Sequence, residues 1–198
     1  MNYRSVFLSL LVFTIALNAT AQMNQLDKAK ELLFFDKYAQ ALKIVNNAIA
    51  EQPTNYKAYL LKAKIYGELD DESEWEPSLK KALEVAPLQA EVYVRYGGYL
   101  EGSNRTDEAL KLYKQGITLI PKSAELHYKV GVIYDDSLKN QQEALRYYEK
   151  AVDLNPTKPH YYYMIGAVLR DLGNLKKAYV AFSQALAQHA RKKNDNIN

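Results

Sequence analysis

The sequence predicts an all-α chain in which short helices pair antiparallel and the pairs stack as a solenoid. Three observations predict it. Pro53, Pro87, Pro121 and Pro156 follow one another at spacings of 34, 34 and 35 residues, and a fixed period of that size marks repeated structural units. Small residues recur at fixed places within the period. Gly and Pro are scarce, 8 and 6 in 198 residues, which suits helices joined by short turns.

Counting back from each proline gives five repeats, residues 22–55, 56–89, 90–123, 124–158 and 159–192, with a polar tail at 193–198. Each proline closes a run such as Ala-Leu-Glu-Val-Ala-Pro or Ala-Val-Asp-Leu-Asn-Pro. The eighth place of each repeat is small: Ala29, Ala63, Gly97, Gly131 and Gly166. A second small place holds Ala41, Ala109, Ala144 and Ala178, with Trp75 as the exception, and a third holds Ala48, Ala82, Gly116, Ala151 and Ala185. Between the last two sits a bulky residue: Val45, Leu79, Tyr113, Tyr148 or Phe182. Each repeat thus has two apolar runs at helical spacing, split by a turn such as Asp36-Lys37 or Gly173-Asn174. Tightly joined antiparallel helices cross closely, and small residues at the crossing allow it. One pair cannot bury its apolar face alone, so the pairs stack.

The elements follow in order. Val6 to Leu17 is a run of twelve residues, VFLSLLVFTIAL, preceded by Arg4 and followed by Asn18-Ala19-Thr20-Ala21. That is the order of a secretory signal peptide, and we expect cleavage after Ala21. The run is shorter than the ~20 residues of a membrane span, and no later stretch has that character. Repeat 2 is irregular, because Trp75 takes a small place and Pro77 lies two residues on. Proline is tolerated in the first turn of a helix, so the second helix of this repeat is expected to start near 75–77. Asp70-Asp71-Glu72-Ser73-Glu74 would then be a protruding acidic loop. Asn104-Arg105-Thr106 fits the N-glycosylation triplet, but we read it as a turn, with Thr106 capping a helix whose first turn holds Asp107 and Glu108. The extra residue of repeat 4 is expected to lengthen the turn at 137–140. In repeat 5 the last helix is expected at about 175–189, with Ser183, Gln184 and Gln188 on its outer face, which is either polar enough to act as a cap or an end that docks a partner or a second copy.

This pattern resembles the tetratricopeptide repeat family, whose signature is W-x2-L-G-x2-Y, then A-x3-F, then P. The closest matches are His127-Val130-Gly131-Tyr134 with Ala144-Tyr148-Pro156, and Tyr162-Ile165-Gly166-Leu169 with Ala178-Phe182. Repeat 1 departs from it at Gln25 and Lys28, and repeat 5 lacks the proline. The resemblance implies a right-handed superhelix of about five helix pairs.

Composition narrows the chemistry. There are 26 Lys+Arg against 23 Asp+Glu, too balanced for a nucleic-acid binder that relies on a basic field. Cysteine is absent, which excludes disulfides, thiolate zinc sites, thiol catalysis and a lipid-modified N-terminal cysteine. Export without cysteine suits a bacterial envelope, so a periplasmic or secreted protein is expected. His127, His160 and His189 lie in different repeats, and no zinc-hydrolase, phosphate-loop or dinucleotide motif occurs. His127 holds the family's Trp place and reads as a packing residue. The acidic stretch 70–76 lacks the glycine and alternating ligands of a calcium loop. No metal, cofactor or catalytic set is expected. Trp75 reads either as an exposed anchor for a partner or as a lid on the helix junction.

The resemblance also implies where a partner would lie: along the first helices of the pairs. The family's groove places fall here on an apolar column, Leu26, Leu60, Val94, Tyr128 and Tyr163, and on a second, Lys30, Lys64, Gly98, Val132 and Ala167. The far edge carries Glu68, Glu101, Asp135, Asp136 and Arg170. Such a surface favours an apolar segment or helix with some Lys or Arg, although the first column could equally be internal packing. The Lys places of the family's carboxylate clamp hold Leu26, Leu60 or Val94, so that clamp is absent. The expected function is an interaction scaffold of the envelope, with a partner protein or peptide in the groove. The alternative is a structural subunit docked through its ends or convex face, including self-association through the last repeat. An enzyme or small-ligand binder would need convergent polar groups.

Overall fold

A computed structural model describes residues 25–195, all helices and turns. The expected export segment at 1–21 lies outside the described residues. The helices are α1 (25–34), α2 (Tyr38–Glu51), α3 (Tyr56–Glu68), α4 (Glu72–Val85), α5 (Ala90–Gly102), α6 (Thr106–Leu119), α7 (Ala124–Val132), α8 (Gln141–Leu154), α9 (Pro159–Asp171) and α10 (Leu175–Asp195). They form five consecutive pairs, an all-α fold of the solenoid class. The chain divides after Ala86 into two compact blocks, the N-terminal one holding the first two pairs and the C-terminal one the last three.

The turn chemistry is the same in every pair. Three residues join the helices, at 35–37, 69–71, 103–105, 138–140 and 172–174. The middle one has positive φ: Asp36 (56°), Asp70 (56°), Asn104 (58°), Lys139 (51°) and Gly173 (77°). Asp, Asn and Gly tolerate that left-handed conformation best, whereas Lys139 has no such aptitude. Four of the five turns close with a bond back five residues: Lys37 N–H to Leu32 O, Asp71 to Tyr66, Arg105 to Leu100 and Asn174 to Leu169, at 2.8–2.9 Å. Between pairs, four residues with proline second stop each second helix, because proline disfavours helix in its predecessor.

Repeat 4 corrects the expectation of a longer turn. Its connection is also three residues. The extra residue is taken up inside the preceding helix, where Ile133–Ser137 forms a π turn. Leu138 N–H accordingly bonds Ile133 O, and Asn140 N–H reaches Tyr134 O. A π turn absorbs one residue without breaking the helix, so the turn geometry that aligns the pair is kept.

Repeat 2 corrects a second expectation. Helix α4 begins at Glu72, and the acidic stretch is a tight turn followed by helix, not a protruding loop. Asp71 caps it, accepting from Ser73 N–H at 3.0 Å and from Ser73 Oγ at 2.6 Å. Such a cap is worth about 1 kcal/mol, and Glu72 and Glu74 sit favourably at the positive end of the helix dipole. Pro77 falls inside the helix, where it forfeits the one bond its N–H would have made. Thr106 is likewise not a cap but the first residue of α6. Arg105 precedes it, with a guanidinium that holds both oxygens of Glu108 at 2.7 Å. Helix α10 runs 21 residues where the other second helices run 14. No proline stops it near residue 190, so the helix extends into the expected tail.

The small and bulky places meet as a size match across each pair. A Cβ added to Gly97 would lie 2.2 Å from the Tyr113 ring, to Gly131 2.7 Å from Tyr148, and to Gly166 2.6 Å from Phe182. The first two pairs use Ala29 with Val45 and Ala63 with Leu79, all buried. Trp75, half-buried, lays its ring on Gly67 of α3, 2.9 Å from where a Cβ would be. The lid reading of Trp75 is therefore the one the structure supports. His127 is buried, and its Nδ1–H donates to Ser123 O at 2.9 Å.

Candidate functional site on the first helices

The residues expected to form a groove lie on α1, α3, α5, α7 and α9. In the N-terminal block Leu26 is buried and Leu60 half-buried, while Lys30, Lys64 and Glu68 are exposed. Lys30 is tied to Asp27 at 2.8 Å. Leu26 belongs to the block's core with Ala29, Val45 and Ile65. The first column is thus mostly packing here, and the second column presents the charges of Lys30 and Lys64.

The C-terminal block differs. Val94 is half-buried and Tyr163 is 56% exposed. Tyr128 is half-buried under aromatic neighbours, with His160 at 5.0 Å, Tyr161 at 5.1 Å and Tyr148 at 5.7 Å between ring centres. Its place in the column is internal packing. One place further along, Gly98 has open space where a Cβ would be, and Val132 and Ala167 are half-buried. This second column forms an accessible, uncharged strip on α5, α7 and α9.

The acidic edge is largely engaged within the fold. Glu101 accepts a hydrogen bond from the Tyr113 hydroxyl, and Lys129 Nζ of α7 lies 3.7 Å from the same carboxylate. Glu101 therefore stitches α5 to α6 and α7. Burial, together with the Glu101 carboxylate, pushes the Tyr113 hydroxyl far above the tyrosine range, so it stays a donor. Asp135 stands at the equivalent place of the next pair, near Tyr148. The Tyr148 hydroxyl is buried without a well-formed hydrogen bond. Desolvation first, then the charges of Asp136 and Asp171, raise the Asp135 carboxyl above its ordinary range, with Lys139 and the nearby Tyr148 hydroxyl opposing. Asp136 is exposed, and Arg170 is exposed and paired with Asp171 at 2.8 Å.

Sequence reading missed Lys129 and the role of Tyr113. A signal was available, because the edge place and the bulky place vary together: Leu33 with Val45, Glu101 with Tyr113, Asp135 with Tyr148. It also missed the Lys62–Glu74 ion pair at 2.7 Å that ties α3 to α4. Among the described residues no three His, Asp or Glu side chains gather as a metal site, and no helix is long and apolar enough to cross a membrane.

With this geometry the class is defined, a stack of helix pairs with a short-turn signature and small-to-bulky crossings. The tetratricopeptide repeat model matches residues 56–87, 90–123, 124–158 and 159–187. The chain belongs to the tetratricopeptide repeat family. The first pair lies outside the matched residues, in keeping with its departures at Gln25 and Lys28. The Hsp70-Hsp90 organizing protein of Triticum aestivum is 27% identical over 100 residues, covering 50% of this chain and 17% of that protein. The chain thus spans about a fifth or less of that relative's length. Among solved structures, MamA is similar with a TM-score of 0.66 at 23% identity, over 84% of this chain and 96% of that one. PilW, a widely conserved type IV pilus biogenesis factor, gives 0.67 at 21%, over 86% and 78%.

Proposed function

We propose that this chain is a non-enzymatic scaffold for protein–protein interaction in the bacterial cell envelope. A partner's apolar segment or helix lies along the second column of the C-terminal block, over Gly98, Val132 and Ala167, with Val94 and Tyr163 at its margin. The observation that carries the reading is the open space at Gly98. A glycine in a helix interior costs roughly 0.5–1 kcal/mol relative to alanine. Packing repays that cost at Gly97 but not at Gly98, and close approach of a partner backbone does. The names of two similar proteins, a chaperone-organizing protein and a pilus biogenesis factor, lend support. The export-type N-terminus supports a periplasmic or secreted location after cleavage behind Ala21. Exposed Asp136 would meet a basic group of the partner, while Glu101 and Asp135 act mainly inside the fold.

The test is capture of the tagged protein from gently crosslinked envelopes, comparing wild type with Gly98→Trp. The new Cβ has open space, and an unchanged thermal midpoint would verify that the pair stays intact. One stoichiometric partner, lost with Gly98→Trp, is expected. A partner retained by that variant would place binding elsewhere and sink the proposal. The N-terminal sequence of the recovered protein should begin at Gln22.

A further inference from the structure

The last helix carries a face that on α2 and α8 is already packed. Leu42 and Ile49 of α2 pack against a core cluster that includes Ala58, Leu61 and Ile65 of α3. Leu145 and Val152 of α8 pack against a core cluster that includes Ile165 and Val168 of α9, and Val152 also against one that includes Tyr161. The same two places on α10 hold Tyr179 and Leu186, which are 74% and 70% exposed. Ser183 and Gln184 are exposed beside them, so this face is mixed rather than wholly polar. Tyr163 tells the same story. Its counterpart Tyr128 is covered by His160 and Tyr161 of the following helix, while Tyr163 is half bare.

The opposite end is built otherwise. Lys28 and Glu31 of α1 are exposed. They stand where α7 has Val130 and Ile133 and α9 has Ile165 and Val168, all buried. Helix α1 thus presents charge where an inner first helix presents its apolar docking residues, and a second copy cannot stack head-to-tail without burying those charges. Antiparallel pairing of two α10 helices would bring Lys176 of one against Lys193 of the other, and residues 175–194 contain no Asp or Glu to relieve it.

We propose that α10 docks an acidic amphipathic helix of another protein, seated as the first helix of a sixth pair. Its apolar residues would follow the spacing of Tyr161, Ile165 and Val168, with an aromatic foremost to cover Tyr163. Its carboxylates would meet Lys176 and Lys193 at the two ends of the apolar stripe. This face is distinct from the strip over Gly98.

The test uses the full chain and three fluorescein-labelled synthetic peptides about 18 residues long, enough for a marginal helix. One has the apolar spacing flanked by Glu, one has Lys in place of Glu, and one has Glu but Ser at the apolar places. Fluorescence anisotropy should show saturable, salt-sensitive binding of the first and at least about tenfold weaker binding of the others. Tyr179→Ser with Leu186→Ser should cost at least about tenfold, with an unchanged thermal midpoint because both side chains are exposed. Lys176→Glu with Lys193→Glu should reverse the preference towards the Lys peptide. Gly98→Trp should leave all of this unchanged, which separates the two surfaces. Equal binding of the three peptides, or no binding, overturns the proposal. So does a dimer in light scattering that the Tyr179/Leu186 variant abolishes, since it assigns the face to a second copy.

Discussion

The two blocks solve the same helix-crossing problem with different residues. The N-terminal block crosses alanine against an aliphatic, Ala29 with Val45 and Ala63 with Leu79. The C-terminal block crosses glycine against an aromatic, Gly97 with Tyr113, Gly131 with Tyr148 and Gly166 with Phe182. At Tyr113 and Tyr148 the ring also carries a hydroxyl into the pair, and at Tyr113 the Glu101 carboxylate on the neighbouring helix accepts from it. The choice inside goes with a difference outside. Next to the crossing, the N-terminal block exposes Lys30 and Lys64, and the C-terminal block presents Gly98, Val132 and Ala167. A repeat therefore keeps its backbone while changing both its packing chemistry and the residues it presents beside the crossing.

The comparison can be broken most severely at Gly97. Gly97→Ala forces a methyl into the Tyr113 ring and should cost about 2–3 kcal/mol, read by urea unfolding of the C-terminal block. The tyrosines come next. Tyr113→Phe removes the hydrogen bond to Glu101 and should cost about 1–2 kcal/mol. Tyr148→Phe removes a hydroxyl with no well-formed partner and should change stability by less than about 0.5 kcal/mol. Gly98→Ala, one residue from the damaging site, has room for its methyl and should gain about 0.5–1 kcal/mol from helix propensity. Equal losses at Gly97 and Gly98 would show that the helix backbone, not the facing ring, sets the requirement.

The smallest effect concerns charge. The folded Asp135 carboxyl sits above its unfolded value. Its contribution is therefore fully present below the ordinary carboxylate range and is lost as pH rises through the folded value. Asp135→Asn should melt above wild type at neutral pH, and the difference should close on acidification below about pH 4. A difference independent of pH would mean that Asp135 acts through shape alone.

Most of the fold was legible because the repeat states it five times. The proline period, the small places and the turns at Asp36 and Gly173 all stand where the pattern puts them. What escaped depends on a local choice between close alternatives. The extra residue of repeat 4 could enter a turn or a helix, and the constant three-residue turn made the helix the cheaper host. Asp71 could leave the chain in a loop or cap it, and the bond to Ser73 N–H decided for the helix. In the candidate site, Leu26 and Tyr128 were apolar enough for either core or groove, and only tertiary packing shows them to be core. Glu101 read as surface charge because its partner lies 12 residues on, across the turn. On α10 exposed Ser183 and Gln184 stand beside exposed Tyr179 and Leu186, a mixture from which the pattern alone decides neither a cap nor a docking face.

The size match itself is tested most directly by a double-mutant cycle at Gly131→Ala and Tyr148→Leu, the alanine–leucine combination that residues 63 and 79 already use. Tyr148 is the cleaner partner, since its hydroxyl has no well-formed hydrogen bond to lose. If the small and bulky places are read together, each single change destabilises and the double variant recovers at least about 1 kcal/mol relative to their sum. Strict additivity would contradict the account, because the two places would then contribute independently.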